Sequence, residues 1–206
     1  MPAIVDPISL RAELGEPAIL ADYLGRPGVL RTGHFRLLSD LHSDHFLAFS
    51  QLAKDEAALE SIASLLLPTI GAWNPGAVLA PSTAGVMLGA TLARRLGAGF
   101  HLATLDDHSR PDGIVGDPDL SGVRVVLVND VVTTGQGFEA LASVAVASGA
   151  SIAGAAWFAS RSAVNISAAI GAPGAFALAL DLPAVEPQDC CACAQQEPLE
   201  DGIDLN

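Results

Sequence analysis

The stretch Val123-Arg124-Val125-Val126-Leu127-Val128-Asn129-Asp130-Val131-Val132-Thr133-Thr134-Gly135-Gln136-Gly137 constrains this chain more than any other. An apolar run of strand type meets an acid, then a turn rich in hydroxyls and glycine, and a helical pattern follows from Phe138 to Ser148. That order reads as a strand, a tight loop and a helix N-terminus. Such a turn holds an anion, because backbone N–H groups point at it and the helix dipole favours its charge. Asp130, ahead of the loop, adds a group able to hold hydroxyls or a metal.

The rest of the chain repeats the alternation of strand and helix. Leu52, Leu59, Ile62 and Leu66 fall near helical spacing, with Lys54, Asp55, Glu56 and Glu60 largely on the other side. Ala77 to Ala80 is a short buried-strand pattern, Pro81 to Gly85 a turn, and Val86 to Leu96 a helix stopped by Gly97. Phe100 to Leu105 reads as a strand, Ser151 to Ser160 as another, Ser162 to Ile170 as a short helix and Ala175 to Asp181 as a last strand. These strands are continuous apolar runs, as expected when helices cover both faces of a parallel sheet. The expected class is therefore α/β, a mainly parallel twisted sheet flanked by helices, with ligands bound at the carboxyl ends of its strands. Asp106 to Gly122, broken by Pro111, Gly113, Gly116, Pro118 and Gly122, reads as a surface loop of the kind that forms lids. Pro7 to Leu14 is expected to form a short helix, residues 31–49 show no clean periodicity, and the tail from Pro183 is expected to be loosely packed.

With 206 residues, half of them apolar, the chain can bury one substantial core, so a single domain over 1–206 is expected. The net charge of −13 argues against a nucleic-acid partner, which needs a basic patch. It leaves room for a phosphate ligand where backbone amides and Mg²⁺ supply the positive field. Neither a membrane span nor a signal peptide is visible, so a cytoplasmic location without membrane contact is expected. The cysteines Cys190, Cys191 and Cys193 include a C-x-x-C spacing open to zinc or redox chemistry. No second Cys/His pair lies near them in the sequence to complete four-coordinate zinc, so an incidentally Cys-rich tail is the simpler reading. His34, His42 and His45 cluster early in the chain, where a metal site is conceivable and surface histidines are the simpler expectation.

The run from Val123 to Gly137 resembles the phosphoribosyl-pyrophosphate (PRPP) signature of the type I phosphoribosyltransferases. Further stretches resemble the orotate phosphoribosyltransferases within that family. Gly33-His34-Phe35-Arg36-Leu37-Leu38-Ser39-Asp40-Leu41-His42-Ser43 is similar to their N-terminal Gly-x-Phe-x-Leu-x-Ser-Gly-x-x-Ser segment, and Ala80-Pro81-Ser82-Thr83-Ala84-Gly85 to their pyrophosphate loop. Ala159-Ser160-Arg161 is similar to the strand end that presents an arginine to the orotate carboxylate, a role its planar fork suits. The resemblance covers most of residues 28–182. It implies a type I phosphoribosyltransferase fold with a small N-terminal hood segment over 1–50, a PRPP-binding core over 51–182 and an extension over 183–206.

It implies, further, transfer of the 5-phosphoribosyl group from PRPP to a nucleobase, with orotate favoured, through displacement of pyrophosphate at the ribose C1. Asp130 would face the ribose hydroxyls, Thr133, Thr134, Gly135, Gln136 and Gly137 would cradle the 5-phosphate, and Asn129, Val131 and Val132 would complete the PRPP site. Ser82, Thr83, Ala84 and Gly85 would hold pyrophosphate, Phe46 and Arg161 the base, and Asp130 would act indirectly on Mg²⁺. Asp130, His108 and Arg110 are the catalytic candidates, and a homodimer is implied.

The chain departs from the family pattern in three places. Asn129 stands where the signature has the first of two acids, removing a charge that would attract Mg²⁺. The Arg-Lys-x-x-Lys-x-His lid is replaced by Ala103-Thr104-Leu105-Asp106-Asp107-His108-Ser109-Arg110, which has no lysine and leaves His108 and Arg110 as donors. Asp40 replaces a glycine, and Leu38 stands where some members carry a lysine. A second reading follows from the lost lysines: a relative that binds PRPP or a nucleotide as a sensor without turning it over.

Overall fold

The computed structural model describes residues 10–202. In chain order the elements are β1 (Leu10–Ala12), α1 (Pro17–Gly25), β2 (Leu30–Leu37), β3 (His42–Leu47), α2 (Phe49–Ala53), α3 (Glu56–Ala72), β4 (Ala77–Pro81), α4 (Gly85–Leu96) and β5 (Gly99–Leu105). They continue with β6 (Pro111–Ile114), β7 (Arg124–Val132), α5 (Gln136–Ala147), β8 (Ser151–Ser160), α6 (Ile166–Ile170), β9 (Gly174–Leu180), α7 (Cys191–Ala194) and β10 (Glu200–Gly202).

The main sheet has seven strands in the order β1-β9-β8-β7-β4-β5-β6. Its five central strands run parallel, and β1 and β6 close the two edges antiparallel. Apolar runs are what such a sheet requires. All five residues of β4 are buried, and in β7 Val126 and Val128 pack on one face while Val125 and Leu127 pack on the other. The first face is covered by α3 and α4, through Ile62, Leu66, Leu88 and Leu92. The second is covered by α5 and α6, through Phe138, Leu141 and Ile166. A second, three-stranded sheet, β10-β2-β3, stands apart from the main one, with Phe35, Leu37 and Phe46 buried beneath it.

Chain order reverses between β4 and β7. From β4 the chain passes outward to β5 and β6, then returns to β7 and proceeds to β8 and β9. A reversal of this kind leaves a crevice at the carboxyl ends of the two neighbouring strands.

Several elements differ from expectation, each for a local reason. The helix expected across Leu52 to Leu66 is interrupted: α2 ends at Ala53, and α3 begins after Asp55, whose carboxylate accepts the N–H groups of Ala57 at 2.9 Å and Ala58 at 3.4 Å. The short helix after β8 starts at Ile166, where Asn165 caps it by accepting the Ala168 N–H. Residues 106–122 are not one loop. Pro111 opens the edge strand β6, a position that tolerates a missing N–H, and Ile114 and Leu120 are buried. Of the helix expected over Pro7 to Leu14, residues 7–9 lie outside the described residues, and Leu10–Ala12 form β1 on the edge beside β9. Residues 31–47 belong to the β2–β3 hairpin and Phe49 opens α2, with a pairing irregularity between Thr32 and Phe35 that explains the missing periodicity. The tail is folded: a 3₁₀ turn at Pro187–Asp189 leads into α7, and β10 pairs parallel with β2. Among the described residues, no helix is long and apolar enough to cross a membrane.

Candidate active site

The crevice at the β4–β7 reversal opens into a cleft lined from five directions. The β7–α5 loop contributes Asn129 to Phe138, the β4–α4 loop contributes Pro81 and Thr83, and the β5–β6 turn contributes His108, Ser109 and Arg110. The β2–β3 hairpin and its turn contribute Leu37, Leu38, Ser39, Phe46 and Leu47, and Arg161, just after β8, and Gly202 of β10 complete the lining.

The β7–α5 loop is shaped by glycine. Gly135 caps α5 at φ 91°, and a side chain there would also strike Ile166 and Val164. Gln136 and Gly137, in the first turn of α5, line the cleft, and the Gln136 N–H donates to Thr134 Oγ1 at 3.5 Å. The β4–α4 loop lies hard against β7. A Cβ on Gly85 would stand 2.9 Å from Asn129 Oδ1 and 3.1 Å from the Asp130 nitrogen, so only glycine lets the two loops converge. Asn129 Oδ1 accepts the Asp130 N–H at 3.0 Å, which holds the side chain in this contact. Of the residues expected on pyrophosphate, Thr83 lines the cleft, Ser82 is exposed, and Ala84 and Gly85 are buried at the start of α4.

The lid region is compact. Asp106 Oδ1 accepts the N–H groups of His108 at 2.8 Å and Arg110 at 2.9 Å, closing the hairpin turn with Ser109 at φ 59°. The Arg110 amide, then the His108 amide, hold the Asp106 carboxyl below its ordinary range. Asp106 is therefore committed to the turn, and His108, Ser109 and Arg110 line the cleft.

Arg161 is not a solvated strand end; it is 2% exposed. Its Nη2 donates to Ser43 Oγ at 2.7 Å and to the His45 carbonyl at 2.9 Å. Burial lowers its pKa to about 10, partly countered by Asp44, so it is charged at neutral pH. Its Nε has no partner, and neither has the buried hydroxyl of Ser39 across the same cleft. Buried polar atoms are normally satisfied, and these two unpartnered ones belong to residues that line one cleft. Phe46 packs on Phe35 with ring centroids 5.6 Å apart and forms an apolar wall nearby. Asp40, in the family's glycine position, adopts φ 61°, a left-handed turn conformation that aspartate tolerates.

For a divalent ion, Asp130 is the carboxylate in the cleft beside the phosphate-type loop. That donor set fits Mg²⁺, which is commonly held by one or two carboxylates together with substrate phosphates. The expected histidine cluster divides. His45 pairs with Asp44 at 2.7 Å, whereas His34 and His42 meet each other and the tail cysteines. The second pair that the sequence did not offer near Cys190 and Cys193 is thus supplied from the β2–β3 hairpin. Sequence reasoning also missed Gly202 and Ser39 as cleft residues; a parallel partner from the tail leaves no local signal.

No family model matches the sequence. A crystal structure of orotate phosphoribosyltransferase from Aeropyrum pernix matches 78% of this chain and 91% of its own, with a TM-score of 0.60 at 23% identity, so the fold is that of the phosphoribosyltransferases. The orotate phosphoribosyltransferase of Thermus thermophilus is 32% identical over 179 residues, 85% of this chain and 95% of that protein. That of Thermotoga maritima is 28% identical over 186 residues, 88% of this chain and 96% of that protein. The chain belongs to the type I phosphoribosyltransferase family, alongside the orotate phosphoribosyltransferases.

Proposed function

We propose that this protein transfers the 5-phosphoribosyl group of PRPP to orotate, giving orotidine 5'-monophosphate and pyrophosphate. The observation that carries the choice of base is the charged Arg161 lining one cleft with Ser39 and the Phe46 wall, with Arg161 Nε and Ser39 Oγ unpartnered. A planar anionic ring meets all three: its carboxylate takes the guanidinium edge, and its face takes the apolar wall.

The remaining roles follow from chemistry. Thr133 to Gly137 receive the 5-phosphate on amides and hydroxyls, and Asp130 accepts hydrogen bonds from the ribose hydroxyls. As the C1–pyrophosphate bond breaks, negative charge grows on the leaving group and positive charge on the ribose ring. Thr83, His108 and Arg110, which line the cleft, would meet the first charge, and Asp130, which lines it too, would meet the second. Mg²⁺, held with Asp130 and substrate oxygens, would supply Lewis-acid neutralisation of the pyrophosphate. The protein would work as a single domain, and as a homodimer in keeping with its family.

The test is ultraviolet measurement of orotate consumption with Mg²⁺ and PRPP, in parallel with uracil, adenine, guanine and hypoxanthine. Orotate turnover that requires PRPP supports the reading. Turnover of another base alone overturns the choice of orotate, and PRPP binding without turnover of any base overturns the transferase reading.

A further inference from the structure

Outside the cleft, one cluster stands apart. His34 and His42 from the β2–β3 hairpin meet Cys190 and Cys193 from the tail, across more than 140 residues of chain. His34 Nε2 lies 3.1 Å from His42 Nδ1, 3.4 Å from Cys190 Sγ and 3.5 Å from Cys193 Sγ. Cys193 Sγ lies 3.2 Å from His42 Nδ1, and all four atoms fall within 4.8 Å of one another. Tetrahedral zinc, with bonds of about 2.0–2.1 Å to nitrogen and about 2.3 Å to sulfur, requires roughly 3.3 Å between two nitrogens and roughly 3.5 Å between nitrogen and sulfur. The His34–His42, His34–Cys190, His34–Cys193 and His42–Cys193 edges lie close to those lengths, and the two remaining edges, both from Cys190 Sγ, lie within 4.8 Å.

Two features support a metal over a hydrogen-bonded cluster. His34 Nδ1 lies 3.1 Å from the Glu197 carbonyl, which has no proton to give, so Nδ1 is the donor. The neutral ring then carries a lone pair on Nε2, the atom aimed at His42 Nδ1 and both thiols. An imidazole held by a backbone carbonyl on its far nitrogen is the usual support for a metal-bound histidine. The local fold also presents the ligands: the α7 turn places Cys190 and Cys193 three residues apart on one side, and His34 sits at the pairing irregularity of β2. His34, His42 and Cys190 are buried, as suits a closed site.

We propose that His34 Nε2, His42 Nδ1, Cys190 Sγ and Cys193 Sγ bind one Zn²⁺ in a closed tetrahedral site that staples the C-terminal tail to the β2–β3 hairpin. No coordination position remains for a substrate, so the role is structural. The staple acts on the cleft through the chain. Seven residues beyond Cys193, β10 begins its pairing with β2, and Gly202 at its end lines the cleft. This proposal does not depend on the identity of the base.

Untagged protein, purified without chelator, is expected to carry about one zinc per chain by mass spectrometry of the metals. Apoprotein loaded with Co²⁺ is expected to show the intense visible bands of a tetrahedral ion and a thiolate-to-cobalt charge-transfer band. Both bands should be lost in C190S/C193S, and in wild-type protein zinc should slow amide hydrogen exchange over residues 187–202. Weak octahedral cobalt bands in the wild-type protein would overturn the proposal whether or not the variant folds. So would absence of zinc after dialysis against it, or tail exchange indifferent to zinc.

Discussion

Arg161 Nη2, at the end of β8, donates to the Ser43 hydroxyl on β3 at 2.7 Å. One guanidinium thereby joins the main sheet to the small sheet, and Ser43 passes the connection on by donating to the Pro183 carbonyl at 2.8 Å. The position of the small sheet over the cleft therefore depends on a charge that is itself a candidate ligand group.

Arg161→Lys keeps the charge and loses the fork. KM for orotate should rise roughly tenfold or more, equivalent to ~1.4 kcal/mol, with a smaller change in kcat. Ser43→Ala removes a bond to a charged donor, and such bonds contribute about 1.5–3 kcal/mol. Steady-state kinetics and denaturant melts check both. The pH dependence has a defined sign. Because burial lowers the folded pKa to about 10, below its unfolded value, the unfolded chain binds more protons as pH rises past about 10, so this group's contribution to stability rises with pH there. Orotate affinity should be flat near neutral pH and weaken as pH passes about 10, where the free site loses its charge.

Gly85→Ala tests the contact between the two loops. Its Cβ would meet the Asn129 side chain and, at 3.1 Å, the Asn129 Cα and the Asp130 nitrogen, backbone atoms that cannot swing aside. Overpacking of this kind costs about 1–3 kcal/mol. Turnover should fall far more than stability, because the displaced atoms are those of the cleft. Unchanged kcat/KM in a stable variant would show that the loops need not converge.

How much of this was legible in the sequence varies with the range of the interaction. The buried strands of the main sheet and α5 announced themselves, because continuous apolar runs and Gly135 reflect local requirements. Arg161, Thr83 and the 133–137 loop were found as cleft residues from motifs alone, and all line one cleft. What stayed hidden depends on distant partners. Ile114 is buried only because β6 pairs with β5, and Cys190 because the hairpin histidines meet it. The split between α2 and α3 lay in Asp55, whose capping competes with its place on a helical face.

The lid turn makes a prediction about residues that replace lysines. His108→Ala and Arg110→Ala should each lower kcat by roughly 10²-fold, the typical loss for a charge-stabilising donor. Asp106→Ala should approach their combined effect by releasing the turn without touching substrate. Since the Arg110 and His108 amides hold the Asp106 carboxyl below its ordinary range, its contribution to the turn is full above that range and is lost as pH falls through the lowered value. Rapid-quench turnover across acidic pH, compared between wild type and Asp106→Ala, measures this; identical profiles would remove Asp106 from the lid.

Asn129→Asp restores the second acid of the signature at a position where the local geometry accepts it. Oδ1 of Asn129 already accepts the Asp130 N–H, and a carboxylate oxygen would keep that bond. What changes is charge: a second carboxylate beside Asp130 deepens the potential felt by a divalent ion and by the ribose as it becomes cationic. The Mg²⁺ concentration for half-maximal rate should fall several-fold and kcat should rise. The opposing effect is repulsion between adjacent carboxylates, which raises the pKa of one of them and should appear as a rate that climbs with pH in the acidic range. A titration of Mg²⁺ at several pH values separates the two. If the half-saturating Mg²⁺ does not change at any pH, position 129 does not face the metal, and Asp130 alone suffices for it.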